Sequence, residues 1–363
     1  MKMNSEHFLY QVSDLPVLQN RVFESPIEAR ACDVGDVELV QNLGTGLICN
    51  KLFDPCKLKY DENYQNEQAN SRHFQDHLDT VAQKLHQHFP FREMIEVGCG
   101  KGNFMERLRK LGYQVVGVDP TYEGSDPAVY KQFYEPGIDL KADGIVLRHV
   151  LEHIQDPFSF LETIRSTNDG RGRIYIEVPC FEWICKNRTW FDVFYEHVNY
   201  FRLVDFHRMF GNVIEAGHTF GGQYLYAIAE LASLKRPENY ESGLDLPTDF
   251  SASVTEYSDS LQSAGKMHPN RKIVVWGAAS KGVIFSLFMQ RLGVVIDAIV
   301  DINPSKQGKF APVTGIAIIS PQQFLDDFPK DTEVIVMNRN YLTEIKSITK
   351  SQFNYRVPDE FPT

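Results

Sequence analysis

Hydrophobic and polar positions along the chain change period several times, and the changes divide it into sections. From Ser71 to Phe89 apolar residues recur at helical spacing, with Phe74, Leu78, Val81, Ala82 and Leu85 on one face. Short continuous apolar runs then alternate with helix-compatible segments. The runs are Met94–Val97, Val115–Val118, Gly144–Leu147 and Arg173–Val178, the last stopped by Pro179. Phe158–Ile164 reads as a helix, and strand signals return at Val213-Ile214 and Gln223–Ala229. This alternation predicts an α/β fold with a mainly parallel sheet covered by helices.

The flanks read differently. Residues 1–70 are irregular, with strand-like runs Val37–Val40 and Gly46–Cys49 among turn residues, and form a small N-terminal module. Residues 71–235 make the first α/β domain. Residues 236–270 are polar and rich in Pro, Ser and Glu, and read as a linker or bridging helix. A second α/β domain over 271–363 opens with Lys272–Trp276, turns at Gly277, and continues as a helix to Leu292. Strands are expected at Val294–Val300, ending at Asp301, and at Glu333–Asn338.

The first apolar run ends in an acid and breaks into glycines, as Glu96-Val97-Gly98-Cys99-Gly100-Lys101-Gly102-Asn103. A strand, a tight turn and a helix are implied, with a turn open enough for a ligand to touch its backbone. The next strand ends at Asp119-Pro120, seventeen residues past Gly102. A carboxylate there can accept hydrogen bonds from both hydroxyls of a ribose, which implies a nucleoside-containing cofactor. The dinucleotide fingerprint requires glycine where this chain has Asn103, and Glu96 disfavours a diphosphate while suiting a cationic sulfonium. The segment resembles the first motif of the class I S-adenosylmethionine (SAM)-dependent methyltransferases, and SAM is the expected cofactor, held by Glu96, Gly98, Cys99, Gly100, Gly102, Asp119 and Pro120.

Composition narrows the setting. The 363 residues are 43% hydrophobic and 23% charged, ordinary for a globular protein. A formal net charge of −11 with no long basic run argues against a nucleic-acid substrate. Residues Met1–His7 lack the apolar centre of a signal peptide, and no stretch approaches a membrane span, so a cytoplasmic protein without a membrane partner is expected. Six cysteines, Cys32, Cys49, Cys56, Cys99, Cys180 and Cys185, show no paired two-residue spacing, so neither disulfides nor a zinc knuckle is expected.

Two further segments carry candidate chemistry. His149 and His153, four apart after the third strand, would share a face of a helix, but the pattern offers no third convergent ligand and no zinc site is predicted. His149 is a candidate for lining the cofactor or substrate. The segment Trp190–Phe201 packs aromatic residues around Glu196-His197. An imidazole among aromatic rings can be held neutral and act as a base. Glu196 would orient or tune it. Tyr195 or Tyr64 would donate to a developing enolate oxygen. Carbon and oxygen acceptors stay open at this point.

Three segments together, Met94–Gly102, Trp190–Phe201 and Val274–Gly282 with Val300–Gly308, resemble the sugar C-methyltransferase family. The resemblance covers nearly the whole chain. It implies an N-terminal, often zinc-binding, module, a central class I methyltransferase domain with a Rossmann-like sheet, and a C-terminal Rossmann-like domain. It implies methyl transfer to carbon beside the ketone of a nucleotide-linked deoxysugar, in antibiotic or surface-polysaccharide pathways. By the same resemblance His197 is the base beside Glu196, and Tyr60 and Tyr64 line the active site, with Asn199 and Lys281 contacting substrate. The second glycine turn would serve the substrate domain.

This chain departs from the family in two places. Asn42 and Thr45 stand where zinc-binding members have cysteines, so no metal is expected. Phe194 and Tyr195 stand where the family has Tyr and His, so the assisting tyrosine is displaced by one position. The competing readings are an O-methyltransferase on a sugar or small natural product, an NAD(P)-dependent oxidoreductase using either glycine turn, and a non-catalytic binding module.

Overall fold

A computed structural model describes residues 6–61, 63–66, 70–90, 92–238, 240 and 243–359. Of Met1–His7, on which the signal-peptide reading rested, Met1–Ser5 lie outside the described residues. So do Asn239, Glu241 and Ser242 of the expected linker and the last four residues.

The seven-stranded central sheet runs, in spatial order, Val213–Thr219, Tyr224–Glu230, Arg173–Pro179, Gly144–Arg148, Glu93–Val97, Gln114–Val118 and Val129–Tyr130. All pairs from Arg173–Pro179 onward are parallel, and the first two strands are antiparallel additions. The chain leaves Glu93–Val97 toward one edge and returns at Gly144–Arg148 toward the other. A crevice therefore opens where the strand order reverses, beyond the carboxyl ends of these two strands. The helix Arg72–His88 packs on this sheet through Phe74, His77, Leu78, Val81, Ala82 and Leu85. Its start is fixed by Ser71, whose Oγ accepts from the Phe74 N–H.

A five-stranded C-terminal sheet repeats the arrangement. Its order is Ile318–Ile319, Ala298–Val300, Ile273–Trp276, Glu333–Val336 and Asn354–Arg356, with every pair parallel. The reversal falls between Ile273–Trp276 and Glu333–Val336. The strand expected over Val294–Val300 is confined to Ala298–Val300. Helix Ser280–Arg291 follows the first of these strands closely: a Cβ on Gly282 would lie 1.8 Å from the Gly277 carbonyl oxygen, so only glycine permits this approach. Among its described residues the polar connection holds one helix, Ala252–Met267.

The N-terminal module is more regular than its sequence suggests. Strands Glu6–Pro16, Val34–Asn42 and Ile48–Asn50 form an antiparallel sheet, completed by Asn199–Tyr200 from the central domain. Where zinc-binding cysteines would stand, Asn42 Oδ1 accepts from the Gly44 and Thr45 N–H groups at 2.9 Å. Arg202 and Arg208 donate to the Gly46 and Thr45 carbonyls. The turn is thus closed by hydrogen bonds, while Cys32, Cys49 and Cys56 are free thiols. Among the described residues no helix is long and apolar enough to cross a membrane.

Candidate functional site

The two crevices face each other. Between them lies a cavity of about 290 Å³ whose walls come from the strand ends of both sheets. His149, His153 and Pro179 represent the central sheet; Trp276, Gly277, Asp301 and Asn338 represent the C-terminal one. Tyr64, Glu196 and His197 complete the wall beside the N-terminal module.

Next to this cavity the first glycine turn has the conformation its sequence demands. Gly98, Gly100 and Gly102 all take positive φ (73°, 52° and 80°), and a side chain at Gly100 would meet open space. Asp119 at the end of the next strand braces the turn, accepting from the Gly100 N–H at 2.8 Å and from Thr121 N–H at 2.8 Å. Oδ1 also accepts from Thr121 Oγ1 at 2.7 Å, while Oδ2 has the Gly100 N–H as its donor and retains a lone pair for a ribose hydroxyl. Glu96 is 2% exposed and its Oε2 has no hydrogen-bond partner among the described residues. Burial pushes its carboxyl up to about 8; Arg148 opposes the shift and Asp119 adds to it. An orphaned buried carboxyl beside an open glycine turn fits a cationic, nucleoside-bearing ligand. The turn packs against the loop that carries His149 and Glu152, since a Cβ at Gly98 would fall 2.3 Å from Val150 Cγ2.

The loop after Gly144–Arg148 does not form the α-helix on which His149 and His153 would share a face. His149 is left-handed (φ 53°), and only a 3₁₀ turn, Leu151–His153, follows. His149 is positioned by two acids instead of by helical register. Its Nδ1 lies 3.3 Å from Glu152 and its Nε2 3.4 Å from Glu177. Burial opposes its charge, but Glu152 and Glu177 outweigh that and raise its pKa to about 9. Glu177, fully buried, also accepts from Arg148, His77 and Tyr175. The sequence signal for this hub was a lone acid within the apolar strand Ile174–Val178, which the reading passed over.

The aromatic segment folds over the same loop. Val198 N–H donates to the Glu152 carbonyl at 2.8 Å and Asn50 N–H to the Val198 carbonyl at 2.7 Å, so Glu152 and His197 are brought side by side. His197 is 8% exposed, with its ring 3.9 Å from Phe194 and 5.0 Å from His153 between centroids. Burial, then the neighbouring His153, His149 and Lys281, hold its pKa well below the usual imidazole value.

Several expected roles change. Glu196 does not orient His197. Its carboxyl instead takes the hydroxyls of Tyr60 and Tyr64, and burial lifts it to about 7 against those hydrogen bonds. Tyr195 is turned away from the cavity, its hydroxyl accepting from the Asp54 N–H at 2.8 Å while its ring packs on Phe53. Of the two candidate donor tyrosines, Tyr64 alone lines the cavity. Tyr60 stands behind it, ring to ring at 4.9 Å. Asn199 lies in the shared sheet and donates to the Ile154 carbonyl, a structural task. Lys281 does reach the cavity, held by Asp192 at 3.0 Å over the face of Trp183.

The second glycine turn is built like the first. Ala278 N–H donates to Asp301 Oδ2 at 2.7 Å, and Asn303 N–H to Oδ1 at 2.7 Å. Lys306, nearly fully buried, ties the turn to the N-terminal module through the Ala278 carbonyl and Asn20. Gln223 and Asn338 exchange amide hydrogen bonds across the two sheets at 2.8 and 2.9 Å.

Comparison with known proteins fits this architecture. Residues 64–213 match the family described as a methyltransferase domain, and residues 230–355 match the C-methyltransferase C-terminal domain. The C-methyltransferase NovU of Streptomyces niveus is 25% identical over 69% of this chain and 67% of its own length. The mitochondrial ubiquinone biosynthesis O-methyltransferase of Bos taurus is 26% identical over 23% of this chain, which spans only 28% of that protein. A SAM-dependent methyltransferase structure from Clostridium acetobutylicum covers 43% of this chain and 91% of its own at 12% identity and a TM-score of 0.35. The chain carries a methyltransferase domain of the SAM-dependent kind. It joins this domain to a C-methyltransferase C-terminal domain, and is similar in that to the C-methyltransferase NovU.

Proposed function

We propose that this protein methylates a carbon beside the ketone of a nucleotide-linked deoxysugar. The observation that carries the reading is the meeting of two topological switch points on one cavity, with His197 in its wall. One switch point adjoins the cofactor turn and the other has no cofactor to serve. A substrate with a nucleoside part and a reactive sugar would use both.

Glu96, the Gly98–Gly102 turn and Asp119 would hold SAM. When bound, it supplies a methyl group made electrophilic by its sulfonium. His197, kept neutral by burial and by its cationic neighbours, takes the proton from the carbon beside the ketone. Tyr64 and the Glu196 carboxyl form the polar couple that meets the enolate oxygen, and a carboxyl near 7 can hold or release that proton at neutral pH. The Gly277–Lys281 turn and Asp301 would receive the nucleotide. NovU, named a C-methyltransferase, supports carbon as the acceptor.

The test is incubation with SAM and a panel of nucleotide-linked keto-deoxysugars in deuterated water. The reading expects a new carbon–methyl bond, and deuterium entering the position beside the ketone. A methyl group on oxygen, with no exchange at that carbon, would overturn it in favour of O-methylation.

A further inference from the structure

The absence of a metal site was inferred from the want of a third ligand near His149 and His153. The fold supplies one from elsewhere. Glu152, His153 and His197 each present a ligand atom, and all three atoms lie within 4.8 Å of one another on the cavity wall.

The details match what a cation requires. Glu152 is 1% exposed; its Oε1 faces His149, and its Oε2 has no hydrogen-bond partner among the described residues. His153 Nδ1 sits 2.9 Å from the Glu196 carbonyl oxygen. A carbonyl only accepts, so Nδ1 carries the proton and Nε2 keeps its lone pair, the arrangement that orients ligating histidines. His197 is held from the other side by Phe194 and by the Val198–Glu152 backbone bond. Two imidazoles and one carboxylate suit zinc or cobalt(II), and three protein ligands leave a position open toward the cavity.

We propose that Glu152, His153 and His197 bind a divalent transition cation of the zinc class in the interdomain cleft. The site stands independently of the reaction assigned above. Its consequence rests on that assignment: a seated cation occupies the lone pair with which His197 takes a proton, so metal binding and proton removal exclude each other. The cleft then has a metal-inhibited state that chelation reverses.

The test is titration of the chelator-treated full-length protein with cobalt(II), read by visible d–d absorption. A saturable band at a single equivalent is expected, displaced by zinc and unmoved by magnesium. Glu152→Gln and His153→Gln should each weaken it by at least the roughly 10- to 100-fold that losing an outer-shell partner costs. Cooperative thermal melting of either variant establishes that it is folded. The second trio, buried Cys180 with exposed Glu182 and His218, provides the control, since His218→Ala should leave the band unchanged. No band, a band indifferent to both substitutions, or a band lost with His218 would overturn the proposal. S-adenosylhomocysteine binding, measured on the same samples, keeps that failure distinct from a failure of the methyltransferase reading.

Discussion

The imidazoles of His153 and His197 meet edge to face, with ring centres 5.0 Å apart, although they come from different loops. Two imidazoles this close in a buried wall cannot both carry charge cheaply. His153 is lowered by burial and His149 nearby, and His197 by burial and then His153, His149 and Lys281. A neutral His197 is a competent proton acceptor near pH 7. His197→Ala should lower turnover by about 10²–10⁴-fold, the usual worth of a general base, and leave S-adenosylhomocysteine affinity unchanged. Unaltered turnover would remove His197 from the reaction.

The same depression makes an acid-stability prediction. An imidazole with a folded pKa below its unfolded value of 6.5 binds more protons in the unfolded chain, so stability falls as pH drops. The His197 contribution is intact above pH 6.5 and is lost progressively on acidification toward the folded value. Melting temperatures across pH 4.5–7.5 should fall less steeply for His197→Asn than for the parent protein. Parallel curves would contradict the assigned burial.

His149 works in the opposite direction. Its raised pKa, about 9, gives stability that is complete below 6.5 and declines as pH climbs through 9. Removing an acid partner by Glu152→Gln should flatten the alkaline limb of the stability curve. A curve that keeps its alkaline slope would show that the His149–Glu152 contact carries no charge.

Glu96 governs the cofactor side. Burial first, and Asp119 beside it, lift its carboxyl to about 8, so it is largely protonated at neutral pH when no ligand is bound. A cationic ligand favours the carboxylate, so SAM binding should release a proton and tighten as pH rises toward 8. Calorimetry in buffers of different ionisation enthalpy measures this release. Glu96→Gln should abolish it, and a proton count unchanged by that substitution would remove Glu96 from the cofactor site.

Trp190 ties the catalytic loop to the C-terminal domain, stacking on Phe285 at 5.7 Å and tilting against Phe288 at 4.9 Å. It is 2% exposed, so Trp190→Ala should destabilise the protein by about 3–5 kcal/mol, as large-to-small core changes do. Denaturant unfolding measures the difference. A loss below about 1 kcal/mol would mean that the interface relaxes around the gap.

Legibility followed periodicity. The glycine turn, Asp119 and the buried strands were readable because backbone conformation and strand burial constrain residue type position by position. The aromatic loop has no such period. Nothing in Phe194-Tyr195-Glu196-His197 told that Tyr195 would bond Asp54, or that Glu196 would face Tyr60 and Tyr64 while His197 faced His153. Those directions are set by Asn199–Tyr200 joining the N-terminal sheet, a pairing between residues far apart in sequence. The pairing of Glu152 with His197 was unreadable for the same reason, since it is made through the Val198 backbone bond.

The most direct test of the central claim is a thermal-shift series on the full-length protein with S-adenosylhomocysteine, NAD(H), and dTDP, GDP, CDP and UDP in turn. A ligand bound by the folded state alone raises its stability by mass action. The account predicts a shift with S-adenosylhomocysteine and a further, additive shift with one nucleotide, because the chain has two separate glycine turns and the second lines the cavity. A shift with NAD(H) and none with S-adenosylhomocysteine would contradict it.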